Sequence, residues 1–435
     1  MSTRLDLWSD APGDQRPHVV VIGAGFGGLA AVQALSEADV RVTVIDRFGH
    51  HTFQPLLYQV ATGGLHESDI ARPTREILEG QTNARTALAT VLDISPSDRV
   101  VTTDRGEVGY DYLVVAAGAT SSFFGHDEWA ENTVGLKTVD DALEIRRRIL
   151  TAFERAETAT SDADRDRHMT FVVVGAGPTG VELAGAIRDI AVHSFGSAYA
   201  RIDTRESRVL LVEGADRVLG TFTPKLSASA LDSLERLGVD VRLGTQVTDI
   251  DEDGVVADGE RIPSATVLWA AGVAGSPLGA MLTDGLDRAG RVRVEPDLSL
   301  PGHPEVFVIG DLAAITDEQG GSVPGVAPAA QQEGAHVADM IERRESSRPT
   351  TPFRYRDRGS LATIGRRRAV ADLGHGIRLT GTPAWLVWGG VHVATLIGFR
   401  SRIAVLSTWM WEYVTRTRSA PIITAEPVVT PDARD

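Results

Sequence analysis

One hydrophobic pattern occurs twice in the chain. Residues 18–35 read HVVVIGAGFGGLAAVQAL and lead into VRVTVID at 40–46; residues 170–187 read TFVVVGAGPTGVELAGAI and lead into SRVLLVEG at 207–214. Each copy opens on a short β-branched run, which reads as a buried parallel strand. A glycine turn follows, then an amphipathic helix, then a second strand ending in an acid. Two such units suggest two dinucleotides bound face to face. Two later strands, YDYLVVAAGAT (110–120) and ATVLWAAGV (265–273), each end in Ala-Gly, where the strand of such a fold leaves the nucleotide domain at a sharp turn. A further strand, VFVIGDLAAI (306–315), ends in Gly310-Asp311. The pattern predicts an α/β fold with two Rossmann-like dinucleotide-binding domains.

The C-terminal pattern differs. No apolar run reaches the ~18 to 20 residues that span a bilayer. The longest, 384–399, contains His392 and two glycines and is too short to cross. Stretches 384–399 and 403–414 both read as helices. In the first, Trp385, Trp388, His392, Leu396 and Phe399 recur at spacings of three and four, which predicts one shared face. Arg400 and Arg402 lie between the two helices, and Arg416 and Arg418 close the second. Apolar and aromatic faces ringed by arginine suit an interfacial helix pair.

Charge sharpens this division. The chain of 435 residues has net charge −16, which argues against a general nucleic-acid binder. Yet residues 353–418 hold eleven arginines against Asp357, Asp372 and Glu412, and four of the seven tryptophans. A boundary is expected in the polar segment 343–352. The chain has no cysteine. Disulfides, thiolate metal sites, iron–sulfur clusters and cysteine redox relays are thereby excluded. His50, His51 and His392 have no companion acids at ligand spacing, so no metal is expected. Residues 1–16 lack the apolar core of a secretory signal, so the cytoplasmic side is the expected location.

Candidate chemistry starts at the glycine turns. Gly23-Ala24-Gly25-Phe26-Gly27-Gly28 is G-x-G-x-x-G between a strand and a helix. Gly23 permits the tight turn, Gly25 lets backbone approach a pyrophosphate, and Gly28 lets helix and strand pack closely. Asp46 stands where a carboxylate would bind ribose hydroxyls. Gly175, Gly177 and Gly180 repeat the arrangement, with Glu213 as the acid. Its distance from the turn exceeds the usual ~20 residues, and the excess, 192–206, reads as an inserted helix and loop. An acid there favours a free 2′-hydroxyl, hence NADH over NADPH. Glu182, in the first turn of its helix, is either a carboxylate stabilised by the helix dipole or a group that helps proton delivery to a reduced acceptor. Asp311 reads as a helix N-cap or as a ligand of flavin ribityl or phosphate groups.

The stretch Phe53-Gln54-Pro55-Leu56-Leu57-Tyr58-Gln59-Val60-Ala61-Thr62-Gly63 resembles the signature of type II NADH dehydrogenases, the single-subunit NADH:quinone oxidoreductases. So do Glu-Leu-Ala-Gly after the second turn, FVIGD, the A-P-x-A-x-Q-E-G stretch at 327–334, and AWLVWGGVH…LIGFRSRIAVLSTWMWEY. The resemblance covers roughly residues 17–424. It implies non-covalent FAD in the first domain, NADH as substrate in the second, and a monotopic membrane foot. It matches Gly23, Gly25, Gly28, Asp46, Arg47, Val91, Gly118 and Asp311 to flavin contacts, and Gly175, Gly177, Gly180, Glu213 and Gly272 to the NADH side. The family stretch A-Q-x-A-x-Q, which lines the quinone tunnel beside the flavin, reads here Ala327-Pro328-Ala329-Ala330-Gln331-Gln332. Pro328 replaces the first glutamine. Gln332 matches the second and either donates to a quinone oxygen or is a helix-start glutamine bonded to backbone.

The expected organisation is a split FAD domain (17–122 and 285–345) with an NADH domain (123–284) inserted. A membrane-interface region (353–424) packs on the FAD domain, between a disordered N-terminus (1–16) and a tail (425–435). The expected activity is electron transfer from NADH through FAD to a membrane quinone without proton pumping, an entry point to a respiratory chain. It would take place on a peripheral enzyme at the cytoplasmic membrane face, with a homodimer possible. Two rivals share the glycine turns: a soluble NADH-dependent reductase of a small redox protein, and a non-enzymatic redox-sensing flavoprotein.

Overall fold

The computed structural model describes residues 5, 7, 8, 13–195, 198–317, 320–374, 376–415, 422 and 423. The chain divides into two units. One comprises Met1–Thr52, Ala71–Thr120 and Val273–Arg358; the other comprises Phe53–Ile70, Ser121–Gly272 and Gly359–Asp435.

The first unit is built on a sheet in the order Ser299–Leu300, His303–Val308, Tyr112–Val115, His18–Ile22, Arg41–Asp46, Ala84–Leu88. Only the Ser299–Leu300 edge pairs antiparallel. Val19, Val20 and Val21 are completely buried, as the unbroken apolar run of a parallel strand covered on both faces requires. Strand order reverses at His18–Ile22, whose neighbours Arg41–Asp46 and Tyr112–Val115 lie on opposite sides. Such a switch point opens a crevice at the carboxyl ends of the strands, where turn 23–28 begins. Helix Phe26–Ala34 packs on helix Ala327–Glu345 so closely that a Cβ on Gly334 would overlap the Gly27 carbonyl. Strand His50–Thr52 leaves the unit and Ala71–Pro73 returns to it, paired antiparallel with His51 opposite Arg72.

The second unit holds a parallel sheet in the order Thr133–Val134, Thr266–Trp269, Thr170–Val174, Arg208–Glu213, Val239–Leu243. Val172, Leu210, Val212 and Trp269 form its core with Trp129, Ile250, Val255 and Ile262. Helix Val139–Thr158 begins in a reciprocal capping box between Thr138 and Asp141. The last stretch folds as an antiparallel sheet, Ser360–Gly365, Arg368–Asp372 and Arg378–Thr380, followed by helices Gly381–Thr395 and Phe399–Thr415.

This division corrects the expected domains in three places. Residues 53–70 belong to the second unit, and 273–284 to the first. The C-terminal region from Gly359 falls in the second unit, whereas it was expected as a separate region. The reason lies in helix Pro178–His193, where a Cβ on Gly185 would overlap the carbonyl of Ile364, so the missing side chain admits the C-terminal sheet to backbone contact. The expected inserted helix at 192–206 is also corrected. Helix Pro178–His193 ends there, and the described remainder is irregular apart from the short turn Thr204–Glu206. The Glu157 carboxylate organises that loop by accepting the N–H groups of Ala200, Arg201 and Ile202 at 3.0, 2.9 and 3.1 Å. In residues 1–16, the expected disorder does not extend to Trp8. Its indole is buried, donates to the Thr43 hydroxyl at 3.1 Å and lies 4.2 Å from the Arg85 guanidinium. Arg416, Arg418 and the tail 425–435 lie outside the described residues.

Candidate functional site

The three glycines of each turn have separable duties. Gly23 and Gly175 sit at φ +96° and +98°, the left-handed region that side chains disfavour. A Cβ on Gly28 would overlap the carbonyl of Gly23, and one on Gly180 that of Gly175. Gly25 and Gly177 differ: a Cβ there would meet no protein atom within 4 Å. They cap the N-termini of helices Phe26–Ala34 and Pro178–His193 without any side-chain cap. Helix-start N–H groups beside a glycine fit an approaching pyrophosphate.

The two acids act alike. Asp46 accepts the Ala24 N–H at 2.7 Å on one oxygen and the Phe48 N–H at 2.7 Å on the other. Glu213 accepts from Ala176 at 2.6 Å and from Ala215 at 2.9 Å. Each carboxylate therefore ties its own glycine turn to the end of the neighbouring strand. A carboxylate has about four acceptor positions, so capacity remains for ribose hydroxyls. Arg47 is exposed and stacks over Phe48, 4.7 Å from the ring centre. Val91 opens a strand at a register shift opposite Thr103.

Gly118 (φ +66°) and Gly272 (φ +71°) mark the two Ala-Gly strand ends, close to where the chain passes between units. The Gly118 carbonyl accepts from Ser276, and that of Gly272 from Ser122. Asp311 lies in the short helical turn Gly310–Leu312 and caps no helix. Its carboxylate makes no hydrogen bond among the described residues, which suits it to accept from cofactor hydroxyls. Ala327 begins helix Ala327–Glu345, and Pro328 occupies its first turn, where a missing N–H costs nothing.

Two residues near the first turn had no role assigned from the sequence. Glu333 is 2% exposed, and its carboxylate oxygen accepts the Gly310 N–H at 2.5 Å. Burial, reinforced by the Asp311 charge, pushes its pKa up to about 7. His51 is also buried, with Nδ1 2.9 Å from the Ala24 carbonyl and its ring edge-on to Phe26. A carbonyl only accepts, so Nδ1 carries the proton. Burial lowers the imidazole pKa and keeps the ring neutral. In the sequence, His51 was weighed only as a metal ligand and Glu333 was met only within the 327–334 stretch.

Glu182 projects from helix Pro178–His193 towards the C-terminal sheet, where Thr363 donates its N–H to Oε1 at 3.3 Å. Its side chain keeps some accessible surface, yet protein crowds the carboxyl. Burial pushes its pKa up to about 8, against that single lowering hydrogen bond. At neutral pH the group is therefore an acid carrying a proton, which separates it from a surface carboxylate held by the helix dipole.

Gln332 makes the backbone bonds of the second of its two readings. Its amide NH2 donates to the Pro328 carbonyl at 3.0 Å and to the Arg356 carbonyl at 3.1 Å, while its Oε1 accepts the Arg356 N–H at 3.0 Å. Both donor hydrogens are thus consumed by backbone. Gln332 clamps the helix to the segment leading to residue 356.

The C-terminal helices also differ from expectation. Trp388 and Leu396 are buried and Trp385 and His392 half-buried, whereas Phe399 is 77% exposed and begins the next helix, so Phe399 falls outside the predicted stripe. Trp388 stacks on Trp409 at 5.3 Å, the Trp409 indole donates to Gln59 at 2.7 Å, and Gln59 donates to the Tyr58 hydroxyl at 2.8 Å. His392 packs against Trp388 and edge-on to Phe53. The solvent-facing apolar surface includes Leu386, Phe399, Ile403, Met410, Trp411 and Val414. Arg366 bonds the Tyr413 carbonyl and stacks on its ring. Among the described residues, no helix is long and apolar enough to cross a membrane.

Comparison with known proteins agrees with this geometry. Residues 17–334 match the family model for pyridine nucleotide-disulphide oxidoreductases, and 358–416 match the NDH2 C-terminal domain. Two proteins of Mycobacterium tuberculosis named type II NADH:quinone oxidoreductase are similar along nearly their full length. Ndh is 45% identical, with 94% of this chain and 91% of Ndh covered; NdhA is 46% identical, with 94% and 90% covered. A solved structure of NDH2 from Plasmodium falciparum in complex with NADH shares the fold, with TM-score 0.85 at 20% identity over 92% of this chain and 98% of that one.

Proposed function

Because this chain belongs to the type II NADH:quinone oxidoreductases, we infer that it oxidises NADH and passes the electrons through FAD to a membrane quinone, without pumping protons. The observation that carries this reading is that both dinucleotide turns are intact in a chain without cysteine. Disulfide chemistry, which the wider family's name describes, has no thiol here, so the electrons leave to another acceptor.

Gly23, Gly25, Gly28, Asp46, Arg47, Val91, Gly118, Asp311 and Ala327 would hold FAD. Gly175, Gly177, Gly180, Glu213 and Gly272 would hold NADH. When bound, the flavin supplies the two-electron chemistry that side chains lack. The protein supplies position and protons. Asp46 and Glu213 fix the shape of their turns. Asp311 offers an unengaged carboxylate. Glu182 holds a proton at neutral pH and releases it from its carboxyl oxygen to the reduced acceptor. Glu213 also disfavours a 2′-phosphate by like-charge repulsion.

The exposed row from Leu386 to Val414, with Arg400 and Arg402, suits a peripheral foot on an anionic membrane surface, here assigned to the cytoplasmic face. An anaerobic titration with NADH followed by a short-chain quinone tests the whole reading. Rapid flavin reoxidation is expected. No reoxidation by any quinone overturns the reading and favours the redox-sensing scaffold.

A further inference from the structure

Glu333 is an acid buried where a charge is hard to keep. It sits in the second turn of helix Ala327–Glu345 and is 2% exposed. The next residue, Gly334, fits against the Gly27 carbonyl, and the Ala330 carbonyl also lies beside Gly27. Glu333 Oε2 accepts the N–H of Gly310, which follows strand His303–Val308 at φ +71°. The carboxyl therefore lies at the carboxyl end of the first sheet, on the side where turn 23–28 begins. Its other oxygen, Oε1, makes no hydrogen bond among the described residues. No described arginine or lysine pairs with it. Asp311, next to Gly310, is the charge that acts on it. Helix Phe26–Ala34, packed on the same helix, contains no ionisable residue, and His51 beside Ala24 is neutral. One turn along, His336 packs against Phe353.

We propose that Glu333 is a redox-coupled proton site: it takes up a proton from solvent when two electrons arrive on FAD bound in this crevice, and gives it back when they leave. The proposal rests on the FAD reading above and deepens it. The driving force is charge. A hydride from NADH carries two electrons and one proton, so each transfer adds one negative charge to the site. Asp311 is already an acid there, and an ionised Glu333 would make a third like charge in a water-poor corner. Uptake of one H+ by the Glu333 carboxylate cancels the added charge. On reoxidation the electrons leave with the proton the hydride brought, Glu182 supplies the acceptor's second proton, and the Glu333 proton returns to solvent. An acid about half protonated at neutral pH is poised for this exchange.

The test is a spectroelectrochemical titration of the purified holoenzyme from pH 6 to pH 9. Below pH 7 the wild-type carboxyl is protonated with or without the electrons and adds nothing. Above pH 7 the midpoint potential should fall more steeply by one proton per electron pair, a tenfold change per pH unit or about 30 mV. Glu333→Gln keeps the Gly310 tie through its own C=O and should lose the extra slope. Glu182→Gln should keep it, which separates the two acids. The second arm needs no variant: NADH added anaerobically to weakly buffered wild type should draw about one more proton per FAD at pH 8 than at pH 6. A single slope in wild type, an extra slope that survives Glu333→Gln, or equal proton uptake at the two pH values overturns the proposal. Purified protein that binds no FAD overturns the function reading itself, and this proposal with it.

Discussion

Gly185 and Ile364 meet at backbone distance: a Cβ added to the glycine would overlap the isoleucine carbonyl. Their contact brings the helix bearing Glu182 against the strand bearing Thr363. Gly185→Ala must therefore push the strand away. We expect a cost of about 3 kcal/mol or more, read as a lower unfolding temperature. Gly80→Ala, where a Cβ would meet nothing within 4 Å, should change little.

Glu182 sets a pH limit on quinone reduction. With its pKa at about 8, the carboxyl is charged with a proton below that value and empty above it. Turnover with quinone should fall as pH rises through 8. Glu182→Gln should lose about 100-fold in that turnover and show no alkaline limb, while NADH-to-ferricyanide activity falls much less. The stability sign follows from the same shift. The folded pKa lies above the unfolded value of about 4.3, so this stabilisation is complete below the unfolded value and is lost as pH rises through 8. The glutamine variant should therefore gain stability relative to wild type at pH 9, checked by denaturant titration at pH 5 and pH 9.

Nicotinamide choice depends on Glu213. Wild type should prefer NADH strongly in kcat/KM, and Glu213→Gln should narrow the preference by about 10-fold, chiefly by improving NADPH. The amide can accept on one atom only, so the Ala176 and Ala215 tethers cannot both survive. The variant should therefore also bind NADH more weakly. Equal use of both nucleotides by wild type would show that Glu213 does not face the ribose.

Membrane attachment is best tested by surface substitution. Cutting the chain within helix Gly381–Thr395 would strip cover from its own unit, because Trp388 and Leu396 are buried. Phe399, Met410 and Trp411 are 77%, 69% and 63% exposed. Changing all three to Ser should abolish co-sedimentation with anionic vesicles at low salt and turnover with long-chain quinones. Unfolding temperature and ferricyanide activity should stay within error. Vesicle binding that survives the triple change would move the foot elsewhere.

Both glycine turns were legible in the sequence because each glycine answers to a local demand: a positive φ, a strand–helix contact or an open approach. Glu182 was legible as a candidate, but its protonation comes from crowding by a distant sheet, against the Thr363 N–H, which no local pattern records. The two readings of Gln332 stayed open in the sequence for the same reason. Two adjacent glutamines look alike until the segment arriving at Arg356 claims one of them. The aromatic stripe misled because tryptophan suits a headgroup layer and a packed core equally well. Only the partners Gln59 and Trp409 show which use Trp388 and its neighbours serve. Membership of residues 53–70 turned on contacts within their unit that hydrophobic patterning cannot rank.

The antiparallel pair of His50–Thr52 with Ala71–Pro73 carries a consequence for how this chain can change over evolutionary time. The strands that leave and re-enter the first unit are bonded neighbours, so the ends of the excursion Phe53–Ile70 are held together by a two-stranded neck. Loop closure is met at that neck, and doubling the length of such an excursion would add only about 0.6 kcal/mol of entropic cost. Insertions, deletions and wholesale replacement between the strands are therefore cheap for the parent sheet. What restrains this stretch is its own cargo of contacts, such as the Gln59 tie to Trp409. The neck thus frees the parent sheet from the length of the excursion, while the excursion's own sequence, with its 53–63 signature, stays held by those contacts.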